Sequence, residues 1–194
     1  MIPSMQSIER DGCVRMIPNE EMGIHLEGPI ILMLDEIGKA NQAVKNAMLR
    51  LIQERQIGSY SLHPDSVVFA TTNKGSEGVG DILPAHVRNR MIVVQIKKTD
   101  HMDWIEWGIN NGIDHSLLGW VKDNPHLMAS FEDIKDPSEN PYIFDPRAQR
   151  AAFVTPRSLH SASDILKSRE GIDDITLTAA LMGTIGDRGA MDLM

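Results

Sequence analysis

The chain of 194 residues contains a single cysteine, Cys13. An internal disulfide is therefore excluded, and a cytoplasmic setting with an idle or buried thiol is the natural expectation. Aromatic residues are scarce at 5%, and long apolar runs are missing. The longest near a strand, residues 29–34, falls far short of the roughly 20 residues that span a bilayer. The first residues, Met-Ile-Pro-Ser-Met-Gln, lack the basic start and apolar stretch of a secretion signal, so no membrane partner is expected. Positive charge is in the minority: 19 Lys and Arg stand against 27 Asp and Glu, for a formal net charge of −8. A surface of that sign is a poor non-specific coat for nucleic acid, although it leaves open DNA or RNA held in a pore or through a partner chain. The seven histidines form no HExxH and no close Cys/His pattern, so no zinc site is expected. Ser59, Ser61 and Ser76 lack the surroundings of a nucleophile elbow.

What is present reads as globular, with 42% hydrophobic and 24% charged residues. Residues 1–28 look irregular and polar. Ile30-Ile31-Leu32-Met33-Leu34 is an unbroken apolar run ending at Asp35 and Glu36, the pattern of a strand buried on both faces of a parallel sheet. A helix is expected over 41–54. Ala40, Ala43, Val44, Ala47, Met48, Leu51 and Ile52 form its apolar stripe, and Asn41 caps its start. It should stop before Gly58. Residues 57–62 suggest a short strand or half a hairpin, and His63-Pro64-Asp65 a turn. A second buried strand is expected over 67–72, ending at Asn73. A loop with Gly75, Gly78 and Gly80 follows, then a short helix over 83–89 and a third strand over 91–96. The alternation of strands and helices is that of an open α/β sheet.

Near Lys98 the character changes. Helices are expected over 100–111, 114–122 and 173–182, and another where Thr155-Pro156 offers a capping oxygen followed by proline at the first helical position. In that helix Leu159, Ala162 and Leu166 share one side. Residues 131–145 are loop-like, and 183–194 carry no clear element. The chain thus divides into a sheet-bearing part, 1–98, and an all-helical part, 99–194. Trp104, Trp107 and Trp120 fall in the helical part, where packing between helices explains them better than base stacking.

Asp35 and Glu36 stand where open sheets place ligands, at the carboxyl end of a strand. Asp35 suits a magnesium ion bound through its water shell, and Glu36 suits accepting a proton from water. The plainer alternative is that both acids cap the following helix. Asn73, ending the neighbouring strand, can bond a phosphoryl oxygen and a water, or simply open a turn. Thr72 beside it reads as an ordinary sheet threonine with a secondary claim to assist. Arg88 and Arg90 carry forked, permanently charged groups suited to phosphate, or to surface ion pairs. Arg157, in the first turn of a helix, is opposed by the helix field unless an anion arrives there.

In combination these segments resemble the AAA+ ATPase superfamily, and within it the MoxR-like and dynein-related branch. The run Ile31-Leu32-Met33-Leu34-Asp35-Glu36-Ile37-Gly38-Lys39-Ala40 is similar to a Walker B strand and its continuation. Asn41-Gln42-Ala43-Val44-Lys45-Asn46-Ala47-Met48-Leu49-Arg50-Leu51-Ile52-Gln53-Glu54 resembles the helix that follows. Val68-Phe69-Ala70-Thr71-Thr72-Asn73 is similar to the sensor-1 strand, with Asn73 as sensor. Leu83-Pro84-Ala85-His86-Val87-Arg88-Asn89-Arg90 resembles the segment ending in an arginine finger, with Arg90 preferred and Arg88 second. Thr155-Pro156-Arg157-Ser158-Leu159 resembles the start of the sensor-2 helix, with Arg157 as sensor. The resemblance covers about residues 20–185. It implies ATP and Mg2+ as cofactors, catalytic roles for Glu36, Asn73 and an arginine finger, and a P-loop-type parallel sheet followed by a small helical lid. It also implies ring assembly, most often of six subunits, acting on a protein client.

One part of the family pattern is missing. No stretch matches G-x-x-x-x-G-K-[ST], the loop whose backbone amides and lysine hold phosphates. The expectation is therefore an incomplete sheet in a truncated or mispredicted portion of a longer protein, with ATP bound poorly or not at all by this portion. The competing expectation is a non-catalytic interaction module that keeps the scaffold.

Overall fold

The computed structural model describes residues 2–17, 19–58, 60–73, 88–132, 134–148 and 150–194. The chain forms two compact units, Met1–Val94 and Gln95–Met194. It is a mixed α/β protein, with its sheets in the first unit and helices dominating the second.

The first unit opens with β1 (Ile2–Ser4), α1 (Met5–Asp11) and β2 (Arg15–Ile17). The strands pair antiparallel from Ile2↔Ile17 to Ser4↔Arg15. This corrects the expectation of an irregular start. Strands of three residues are too short to show alternation, and their pairing across a helix is not local information. Next come β3 (Ile31–Leu34), α2 (Gln42–Glu54), β4 (Gln56–Ile57), β5 (Tyr60–Ser61) and β6 (Val67–Ala70). The Asn41 side chain accepts from the Val44 amide at 3.0 Å, which starts α2. Arg55 ends it in the left-handed region, φ 57°, and β4 and β5 form a small hairpin.

Strands β3 and β6 pair in parallel, Ile31↔Val67 through Leu34↔Ala70. Leu32 and Val68 turn inward with Ile30 and Met48 against a core of Ile24, Leu51, Ile57 and Leu62. The other face is open: Ile31 is 78% exposed, Met33 50%, Val67 53% and Phe69 45%. Among the described residues, burial on both faces is thus overturned. An apolar run reports that a strand can be covered twice; it does not supply the second layer. The expected strand over 91–96 is also absent. These residues have no ladder partner among the described residues, and Ile92 and Ile96 are 94% and 88% exposed. β-branched residues favour a strand only where a neighbour offers hydrogen bonds and packing. The glycine loop and most of the helix expected over 83–89 lie outside the described residues.

The second unit contains α3 (His101–Asn110), α4 (His115–Asp123), α5 (Pro156–Lys167), α6 (Asp174–Ile185) and α7 (Asp187–Leu193). Asp100, Asp114, Thr155 and Asp173 cap the first four through side-chain oxygens. Thr155 and Ser158 satisfy each other's amides in a capping box. Leu117, Val121, Leu127, Leu159, Ala162, Leu166, Leu181 and Ile185 make the centre of its core. Ser163 is buried among them, and its hydroxyl accepts the Asp114 amide at 2.9 Å, tying the start of α4 to α5.

Helix α7 corrects the reading of 183–194 as featureless. It packs Ala190 into the core, and the buried Tyr142 hydroxyl donates to the Asp192 carboxylate. The turn from α6 into α7 needs Gly186, at φ 84°, because a Cβ there would lie 2.8 Å from the Ala152 carbonyl oxygen. The long connection between α4 and α5 is held by side chains. Arg147 bridges Asp136 and Asp145, and Arg150 donates to the carbonyls of Asn140 (2.9 Å) and Ile143 (2.6 Å). Trp104 is buried and Trp120 packs against the core, whereas Trp107 is exposed, edge-on to His160. Cys13 is exposed. Among the described residues no helix is long and apolar enough to cross a membrane.

Candidate functional site

The parallel register ends β3 at Leu34 and β6 at Ala70, side by side. The residues that follow both strands therefore leave from one sheet edge: Asp35 and Glu36 from β3, and Thr71, Thr72 and Asn73 from β6. What holds β6 in that register begins at the other end of the strands. The Arg55 guanidinium donates to the carbonyls of His63 (3.1 Å), Pro64 (3.3 Å) and Ser66. The Ser66 hydroxyl accepts the Ile30 amide at 3.1 Å, and the Val67 amide donates to the Ile30 carbonyl at 2.9 Å.

At the carboxyl end the hub is Thr71. Its amide donates to the Leu34 carbonyl at 3.0 Å, and its carbonyl accepts the Ile37 amide at 3.0 Å. Its hydroxyl accepts the Glu36 amide at 3.0 Å and donates to Asp35 Oδ1. Glu36 adopts the left-handed region, φ 51° and ψ 41°, uncommon for a residue with a side chain. Its carboxylate pairs with Lys39 Nζ at 2.7 Å. A single 3-10 turn, Ile37–Lys39, leads on to Asn41 and α2.

This geometry removes the capping alternative for the acidic pair. Asn41 performs the capping of α2, and Glu36, which precedes the 3-10 turn, makes no side-chain capping bond. Neither carboxylate is used to start a helix. One Asp35 oxygen is engaged by Thr71, while an ionised carboxylate has about four lone-pair sites, so accepting capacity remains. No cluster of three or more metal-ligating side chains exists among the described residues. A cation here would have one or two carboxylates and otherwise water or ligand oxygens. That donor set fits magnesium, which keeps several waters and rarely occupies an all-protein cage.

The remaining predicted residues are placed differently. Asn73 is exposed, two residues beyond Thr71 at the same edge. Arg88 and Arg90 are also exposed. Arg90 Nη1 donates to Gln53 Oε1 at 3.1 Å. Gln53 lies in the last turn of α2, roughly 16 Å along the helix from Gln42 at 1.5 Å per residue. Arg90 is thereby anchored at the end of α2 opposite the one that follows Asp35 and Glu36. Arg157 belongs to the second unit, in the first turn of α5. It lines a groove of about 460 Å³ with Asp103, Trp104, Trp107 and His160. The Trp104 indole N–H is buried without an acceptor among the described residues.

Two contributors were not anticipated. Thr72 rather than Thr71 stands next to the predicted sensor, yet the hydroxyl that meets the acids is that of Thr71. Only the register of β6 on β3 reveals this. Arg55 carried no sequence signal beyond its place after a helix. No family model, curated protein or solved structure matches the chain.

Proposed function

We propose that the chain is the Walker B-to-lid portion of an AAA+ ATPase of the MoxR-like and dynein-related kind, a cytoplasmic remodelling enzyme acting on a protein client as a ring, most often of six subunits in that family. The observation that supports the reading is the in-register parallel pairing of β3 with β6, which brings Asp35, Glu36, Thr71 and Asn73 to one edge while Asn41 does the capping. The magnesium ion, when bound with ATP, supplies charge neutralisation at the phosphates. Asp35 would hold that ion, through water. Glu36 would take the proton from the attacking water, and the Asn73 amide would orient that water. Arg90, or Arg88, is offered to the site of a neighbouring subunit, where a fixed guanidinium stabilises charge developing on the transferred group.

The phosphate-gripping loop is not among the 194 residues. The test is ATP turnover by the protein translated with the coding sequence upstream of Met1. The reading expects an in-frame G-x-x-x-x-G-K-[ST], hydrolysis, and a Glu36→Gln variant that binds ATP but loses turnover. Equal hydrolysis by that variant removes Glu36 from the role of base. A second reading, a non-catalytic interaction module, is favoured by the exposed apolar face of Ile31, Met33, Val67 and Phe69. Absence of the loop together with absence of ATP binding would establish that reading in place of the first.

A further inference from the structure

We propose that Thr71 is a positioning residue that presets the Asp35 carboxylate for a divalent cation. The inference rests on the reading of Asp35 as a cation ligand.

The donor and acceptor roles at the Thr71 hydroxyl follow from elementary inventory. The Glu36 amide can only donate, so the hydroxyl oxygen is its acceptor at 3.0 Å. The one hydroxyl proton is then committed to Asp35 Oδ1. The position of the hydroxyl is itself fixed. The Thr71 amide and carbonyl are tied to Leu34 and Ile37 at 3.0 Å each, and a β-branched side chain has little freedom about χ1. Four hydrogen bonds from one residue thus span 34–37, the turn that carries both acids. With Oδ1 held, the exposed Asp35 side chain loses its rotational freedom before a cation arrives, and Oδ2 is the oxygen left to meet it. Orientation settled in advance is a cost that binding no longer carries.

The experiment titrates the 194-residue chain with Mn2+ and follows paramagnetic broadening of backbone amide NMR signals. In the wild-type protein, residues 34–37 and 71 should broaden at the lowest Mn2+ concentration, and Asp35→Asn should abolish that focus. Thr71→Val keeps the shape, the branching and the backbone bonds but removes the hydroxyl. It should need roughly three- to tenfold more Mn2+, the scale of one lost hydrogen bond. Thr71→Ser, which restores the hydroxyl, should lie within about twofold of wild type. A wild-type titration by Thr71→Val, with Asp35→Asn still losing the focus, overturns the role of Thr71 and leaves Asp35 as ligand. Equal impairment of the serine and valine variants overturns it as well. Unchanged broadening in Asp35→Asn, or none at this edge in wild type, overturns the reading of Asp35 itself. Loss of the native spectrum in both Thr71→Val and Thr71→Ala would assign the hydroxyl to holding the strands together and overturn the proposal.

Discussion

Replacing Asn41 by alanine separates the residue that builds this edge from the residues that would use it. The Asn41 carboxamide oxygen satisfies the Val44 amide at 3.0 Å, and its backbone carbonyl accepts the Lys45 amide at 2.9 Å. Alanine keeps the second bond and loses the first, for a cost of about 1 kcal/mol. With a urea m-value of about 1 kcal/mol/M for a small unit, the midpoint of the first unit should fall by about 1 M. The Val44 amide should exchange with solvent about fivefold faster, since 1.4 kcal/mol is tenfold. Asp35→Asn and Glu36→Gln remove charge from exposed side chains that cap nothing, and an asparagine oxygen still accepts from Thr71. Both should stay within about 0.5 kcal/mol of wild type. Urea unfolding followed by circular dichroism, with hydrogen exchange at Val44, measures all three variants. If either acid variant destabilises the unit as much as Asn41→Ala does, the carboxylates are structural, and the argument that frees them for chemistry is refuted.

Leu159 is fully buried in the core of the second unit, so Leu159→Ala should destabilise that unit by about 2–5 kcal/mol in chemical denaturation. Ile175, exposed on α6, should tolerate alanine within about 0.5 kcal/mol. Asp136 titrates at about 2, lowered by the Ser138 hydroxyl and then by Arg147. A carboxyl depressed in the folded state stabilises above its unfolded value near 4 and loses that contribution as pH falls towards 2. Asp136→Asn should therefore flatten the pH dependence of stability between about pH 4 and 2, measured by urea midpoints across that range. An unchanged slope would show that the Asp136 carboxylate is not held by Ser138 and Arg147 in solution.

Local chemistry made much of the secondary structure legible. Asn41, Asp100, Asp114, Thr155 and Asp173 stand at helix starts because a short side-chain oxygen reaches the first free amides wherever the chain turns helical. Leu159, Ala162 and Leu166 share the buried face of α5 because helical spacing puts them there. The two parallel strands were visible as apolar runs, with an acid pair after one and an amide after the other. The helix at the chain's end is not legible locally, because its packing depends on contacts with residues far away in sequence, such as Tyr142 with Asp192.

Residue identity alone names the groups able to carry charge and bonds: Asp35, Glu36, Asn73, Arg88, Arg90 and Arg157, each through its own functional group. Which of them meet depends on how the strands pair. The register of β6 on β3 selected Thr71 over Thr72 as partner of the acids. Arg90 meets Gln53 at the far end of α2, and among the described residues one face of the sheet has no covering layer. The reason is physical. A side chain's chemistry is local, but strand pairing and layer coverage depend on segments distant along the chain, and a shift of one residue would turn each side chain to the opposite face.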